Sequence, residues 1–142
     1  MNLIWPSDMK RANLLIVEDD KNTLYGLVEI LRLEGYEVTG VENGRNALRV
    51  LRPRRFDVML TDLKLPDISG LELHKQARTL CPNMQTVIMT AYSSTREALQ
   101  ARQHGVYELL TKPLNMELLF ATLLAAAKPF HTAHSLQLPA LP

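Results

Sequence analysis

Six side chains carry the chemistry this sequence offers: the consecutive acids Glu18, Asp19 and Asp20, then Asp62, Thr90 and Lys112. Each lies at or just beyond the end of an apolar, β-branched run: LLIV before Glu18, VMLT before Asp62, TVIM before Thr90 and VYELL shortly before Lys112. Such runs read as buried strands. In open parallel sheets the crevice beyond the strands' carboxyl ends is where ligands bind. Carboxylates brought together there repel one another, and a hard divalent cation with oxygen ligands is the simplest way to keep them ionised. Mg²⁺ suits an open cleft because it keeps several waters and takes one or two carboxylates plus phosphate oxygens, with Mn²⁺ able to take its place. A calcium loop is disfavoured, since its spaced acids are missing. A carboxylate beside such a cation, an ammonium and a hydroxyl can attack a phosphorus and become an aspartyl phosphate. Singly, each residue reads as a turn former, a strand end or a surface lysine. It is the joint spacing that points to chemistry.

The elements that must position these groups are legible from periodicity. Asn13 to Val17 reads as a first strand covered on both faces. From Asn22 onward Leu24, Leu27, Val28, Leu31 and Leu33 recur at helical spacing, and Gly35 stops that helix. Tyr36, Val38 and Val41 mark a second strand, and Ala47, Leu48 and Leu51 a short helix ended by Pro53. After the Asp62 strand, Ser69 or Gly70 opens a third helix carrying Leu71, Leu73, Ala77 and Leu80, stopped by Pro82. Thr86 to Met89 is a fourth strand. Ser94 and Glu97 form a capping box for a helix reaching about Gln103, with Gly105 as its stop. Val106 to Leu110 is the fifth strand, and Asn115 caps a last helix from Met116 to Ala127. Strands alternating with helices over short connections predict an α/β fold with a doubly wound, five-stranded parallel sheet and five helices. Right-handed crossovers bring the strand exits to one edge, so the six residues converge.

Bulk numbers bound the rest. At 142 residues one domain is expected. The three parts are an N-terminal extension over 1–12, with Trp5 helping to order it, a domain over 13–128 and a Pro-punctuated linker or disordered tail over 129–142. Hydrophobic content of 46% and charged content of 22% fit a soluble protein, and no apolar run approaches a membrane span. A formal charge of +1 gives no global reason to bind nucleic acid, and a single cysteine, Cys81, excludes an internal disulfide framework. No export signal is present, so a cytoplasmic location is expected. Arg45, Arg49, Arg52, Arg54 and Arg55 form a local basic patch, read as a solvated face.

The motifs LLIVEDD (14–20), LTDLKLPDISG (60–70), IMTAYSS (88–94) and LLTKPL (109–114) together resemble the response-regulator receiver domains of bacterial two-component signalling, over about Asn13 to Lys128. The resemblance implies a flavodoxin-like sheet of order 2-1-3-4-5. It makes Asp62 the phosphoacceptor, Asp19 a direct Mg²⁺ ligand, Glu18 a ligand through water and the Lys64 backbone carbonyl a further ligand. Asp20 matches a variable position. Thr90 and Lys112 would bind the phosphoryl group, and Lys112-Pro113 would be a cis peptide, since an X-Pro bond favours trans by only about 0.5–1 kcal/mol. Ala91 would leave the donor a path, and Lys64 and Tyr92 would tune hydrolysis, with Tyr92 lengthening the phosphoryl lifetime. A receiver is not a conventional enzyme; it catalyses its own phosphorylation and dephosphorylation. The implied partners are a cognate histidine kinase and an output domain or effector. MTAYSS and LLTKPL resemble receivers that precede ATPase-type transcription activators. No output motif follows Lys128, so the output is expected elsewhere, this chain being either a stand-alone receiver or a piece of something longer. Direct nucleic-acid or membrane binding is not expected.

One family feature is missing. The switch aromatic usually three residues before the lysine is Leu109 here, and Tyr107 is the candidate substitute, because side chains of a strand alternate with period two. The last helix, with Leu118, Leu119, Phe120, Leu123 and Leu124, is apolar on more than one face. Its surplus face, with the fourth helix and fifth strand, is the expected output or homodimer surface. Two rival classes remain: an aspartate-dependent phosphatase, which needs a second acid where Lys64 stands, and a binding module that works without phosphorylation.

Overall fold

The computed structural model describes residues 11–128. Its elements alternate throughout: β1 Asn13–Val17, α1 Lys21–Leu33, β2 Glu37–Val41, α2 Gly44–Val50, β3 Val58–Asp62, α3 Gly70–Leu80, β4 Gln85–Thr90, α4 Arg96–Gln103, β5 Glu108–Thr111 and α5 Met116–Ala126. The strands form one parallel sheet in the order β2-β1-β3-β4-β5, the expected doubly wound, flavodoxin-like arrangement.

Strand alternation divides the core in two. Leu14 and Ile16 of β1, Leu60 of β3, Met89 of β4 and Leu110 of β5 face α1 and α5, against Leu27, Leu31, Leu119 and Leu123. Leu15, Val17 and Met59 face α2 and α3, against Ala47, Leu73 and Ala77. Ile88 and Leu109 pack on α4 through Ala98 and Ala101. All five β3 side chains are buried because helices cover both faces.

Each helix starts just beyond a strand's carboxyl end and is capped there. Asp20, Asn43, Ser69, Thr95 and Asn115 each accept the backbone N–H three residues on. A cap of this kind contributes about 1 kcal/mol. Five helix N-termini therefore ring one edge of the sheet, the end of the macrodipole that favours anions. Glycines in left-handed backbone conformation end α1 and α4: Gly35 at φ 101° and Gly105 at φ 85°.

Several boundaries differ from the sequence reading. The fourth helix is capped by Thr95, not Ser94, because the Thr95 hydroxyl is the one that accepts the Ala98 N–H at 3.2 Å. β5 runs from Glu108 to Thr111 and not from Val106, since two residues are needed to leave the Gly105 turn before pairing becomes regular. β4 reaches Thr90, which pairs with Thr111, so Thr90 is the last strand residue and not the first beyond it. The first helix begins at Lys21 and the last ends at Ala126.

Arg11 and Ala12 are already tied to the sheet: Arg11 N–H donates to Gly35 and Glu37 N–H to Ala12. The rest of the expected extension, including Trp5, and the tail over 129–142 lie outside the described residues. Among the described residues no helix is long and apolar enough to cross a membrane. α5 buries Leu119, Thr122, Leu123 and Ala126, while Leu118 and Leu124 stay 55% and 46% exposed.

Candidate functional site

The register places the ends of β1, β3, β4 and β5 side by side: Val17 opposite Thr61, Asp62 opposite Met89 and Thr90 opposite Thr111. Glu18, Asp19 and Asp62 consequently meet, with one carboxylate oxygen from each lying within 4.8 Å of the others. Glu18 and Asp62 are 2% and 4% exposed, whereas Asp19 opens to solvent. Asp20 is not in the cluster. Its carboxylate accepts the backbone N–H and the hydroxyl of Thr23 at 2.9 and 2.6 Å, capping α1.

Lys112 reaches back across the sheet edge. Its ammonium donates to Glu18 Oε1 at 3.2 Å and pairs with Asp62 Oδ1. That Asp62 oxygen is buried, and the ammonium is the charge it faces. The Lys112-Pro113 peptide is cis, and Lys112 N–H is held by the Thr90 carbonyl at 2.8 Å. Thr90 is buried, with its hydroxyl accepting the Tyr92 N–H at 3.1 Å.

One ammonium does not offset two buried carboxylates. Burial, joined by the facing Glu18, pushes the Asp62 carboxyl up to about 7 despite Lys112. For Glu18, burial is outweighed by Asp62, the Asp20 N–H and Lys112, which hold its carboxyl below the usual range. Burial also works against the Lys112 ammonium, but Asp62 and Glu18 outweigh it and raise its pKa. The site is short of positive charge. The donor set, hard carboxylate oxygens with an ionically held Asp62, fits a divalent cation.

Ala91, Tyr92 and Lys64 flank the acids on exposed loop positions. Tyr107 is not brought to the site. Its N–H bonds Thr86 at the far end of β4, its side chain is 42% exposed, and Leu109, opposite Ile88, fills the space between Tyr107 and the sheet's active edge.

Two positioning residues escaped the sequence reading. Asp67 accepts N–H groups from Gly44, Arg45 and Ile68 at 2.9, 2.8 and 2.9 Å, strapping the β3–α3 loop to the start of α2. Burial opposes the ionised form, but these three amides hold its carboxyl below the usual range. The signal was present in the LPDISG turn, since turn aspartates bond backbone amides. Gly70 donates to the Leu63 carbonyl at 2.7 Å, and a Cβ there would overlap the carbonyl oxygen of Asp62. Gly70→Ala is expected to destabilise the domain by about 1–3 kcal/mol, as overpacking against rigid backbone does. Urea unfolding checks this, and a variant as stable as wild type would show that the loop yields freely.

Beside Lys112, Thr23, Gly26, Leu27 and Ile30 of α1 and Pro113 and Met116 border an open groove of about 450 Å³.

The family model described as response regulator receiver domain matches residues 14–124. This chain belongs to that family. Among its relatives, the transcriptional regulatory protein GlrR of Escherichia coli (strain K12) is 37% identical over 111 residues, covering 78% of this chain and 25% of the relative. The transcriptional regulatory protein ZraR of Klebsiella oxytoca is 36% identical over 114 residues, covering 80% and 26%. The receiver thus spans about a quarter of the length of these relatives. A CheY-like response regulator receiver domain protein from Methanospirillum hungatei JF-1 superposes with a TM-score of 0.75 at 32% identity, covering 82% of this chain and 91% of that one. The BeF3-activated DrrB receiver domain gives 0.73 at 29% identity, covering 81% and 96%. The family assignment makes this a phosphoacceptor signalling domain of two-component systems, with a clustered acidic site consistent with a metal.

Proposed function

We propose that Asp62 receives the phosphoryl group, from a histidine kinase or a small phosphodonor, and that Thr90 and the α4–β5–α5 surface carry the change to a partner. The observation that supports this most is Lys112 bridging Glu18 and Asp62 at the shared edge of four strands. In the transfer, a bond forms between an Asp62 carboxylate oxygen and phosphorus while the bond from phosphorus to the donor's leaving atom breaks. Lys112 neutralises a phosphoryl oxygen, and the Thr90 hydroxyl turns from the Tyr92 N–H to donate to another. Asp19, Asp62 and the Lys64 carbonyl would hold Mg²⁺, or Mn²⁺, with Glu18 assisting; when bound, the ion would supply positive charge that Lys112 alone does not. The same groups promote hydrolysis, so the domain catalyses its own phosphorylation and dephosphorylation.

The groove beside Lys112 is a natural seat for the phosphodonor protein. Leu118 and Leu124, left exposed on α5, support an output or homodimer contact there. Tyr107, which lies away from the site in this structure, would have to move inward past Leu109 to serve the switch, and an unmoved ring with a phosphate mimic bound would remove it from that role. A cytoplasmic protein in which this receiver controls an output domain, as in activators of the NtrC kind, completes the reading.

Incubation with Mg²⁺ and acetyl phosphate tests it. A receiver gains one labile phosphoryl group on Asp62; continuous turnover of the donor indicates a phosphatase, and no reaction an inert module. Tyr92, exposed two residues past Thr90, shields the phosphoryl group from in-line water. Tyr92→Asn is therefore expected to shorten its lifetime several-fold, and an unchanged dephosphorylation rate would remove Tyr92 from that role.

A further inference from the structure

α3 grips the far end of α4 through two residues one helical turn apart. His74 is 3% exposed, and both ring nitrogens are engaged: Nδ1 lies 2.8 Å from the Thr86 hydroxyl and Nε2 lies 2.9 Å from the carbonyl oxygen of His104. A carbonyl only accepts, so Nε2 carries a proton and donates it. In the neutral ring Nδ1 then accepts from the Thr86 hydroxyl. Arg78, four residues further along α3, donates from Nη1 to the same His104 carbonyl at 2.6 Å. His104 is the residue that ends α4, where backbone carbonyls otherwise lack partners.

The other end of α4 is held differently. Thr95 donates from its backbone and hydroxyl to the Tyr92 carbonyl at 3.3 and 3.1 Å and accepts the Ala98 N–H. These bonds stay within the loop and its own helix. That loop begins just after Thr90.

We propose that His74 is a positioning residue that pins the C-terminal end of α4, at His104, to α3 and β4. Any part of this pin in signalling rests on the phosphoacceptor reading; the pin itself does not. Protonation of His74 places a second N–H against the Thr86 oxygen, forces that hydroxyl to turn round and sets a positive charge beside Arg78. The charged or titratable groups acting on the ring are Arg78 on α3 and His104 at the end of α4; Thr86, from β4, carries no charge. Burial, reinforced by Arg78 and His104, outweighs the His104 carbonyl and lowers the imidazole pKa below 6.5. The folded protein thus takes up this proton less readily than the unfolded chain. The pin is intact at neutral pH, and its contribution to stability is lost as pH falls below 6.5.

Amide hydrogen exchange of the unphosphorylated, metal-free chain, corrected for intrinsic rates, tests the pin. His74→Ala is expected to speed exchange over 96–105 roughly tenfold at neutral pH while α1 and α5 stay protected. Wild type should lose protection over the same stretch as pH falls below 6.5. His74→Gln, which keeps a donor and an acceptor but does not titrate, should lose that pH dependence. Unchanged α4 exchange in His74→Ala, acceleration spread equally over α1 and α5, or persistence of the pH dependence in His74→Gln would each overturn the proposal. Should His74→Ala not fold, the comparison of wild type with His74→Gln decides. An intact pin in a protein whose Asp62 takes no label would sink the phosphoacceptor reading and leave the pin standing.

Discussion

Asp62→Asn is expected to take up no phosphoryl group from acetyl phosphate and, in metal-free buffer, to be more stable than wild type above neutral pH. The first effect removes the nucleophile. The second follows from the pKa of Asp62, about 7 when folded against an ordinary 3.8. Between those values the folded state holds a proton that the unfolded chain has released, so this group's contribution falls as pH rises through the window and levels off above it. The full shift would correspond to about 4 kcal/mol. Glu18 and Lys112, shifted in the directions that favour their charged forms, oppose it. A net gain of about 1–2 kcal/mol near pH 8, shrinking toward pH 5, is what remains. Urea unfolding of both proteins at the two pH values measures it. A difference independent of pH would mean that Asp62 ionisation is not its source, and Mg²⁺ should close the gap by stabilising wild type the more.

Lys112→Met should act in the opposite direction. It leaves Glu18 and Asp62, with side chains 3% and 6% exposed, facing each other without a cation. Breaking a buried pair costs about 3–5 kcal/mol, but Lys112 is partly solvated and Asp62 can retain its proton, so roughly 2 kcal/mol is expected above pH 7 and less below. The loss should be smaller in the Asp62→Asn background, because the two side chains interact directly. Labelling by acetyl phosphate should slow roughly 100-fold, the effect of losing one preorganised charge-stabilising donor. Additive stability changes in the double variant would show that the ammonium and Asp62 act separately.

Much of the fold was readable because its determinants are local. LLIV and VMLT are continuous apolar runs, α1 repeats its leucines at helical spacing, and Gly35 and Gly105 stand where a left-handed residue is required. The fourth helix shows where local reading stops. Ser94 and Thr95 are chemically equivalent caps one residue apart, and only the path of the chain out of β4 selects Thr95.

The site divides in the same way. Sequence alone determined which chemical groups exist and that strand exits deliver them to one edge, since alternating strands and helices with right-handed crossovers leave little choice of arrangement. Tertiary structure decided what each group does there. Of three consecutive acids, Glu18 turns inward to Lys112, Asp19 opens to solvent beside Asp62, and Asp20 caps a helix. Lys112 meets Glu18 across 94 residues of sequence, a pairing set by strand register and not by any local pattern. The same register puts Leu109 opposite Ile88 and leaves Tyr107 at the far end of β4, and it brings His74 to the end of α4. Such partners are chosen by packing between distant segments, which residue type and spacing do not encode.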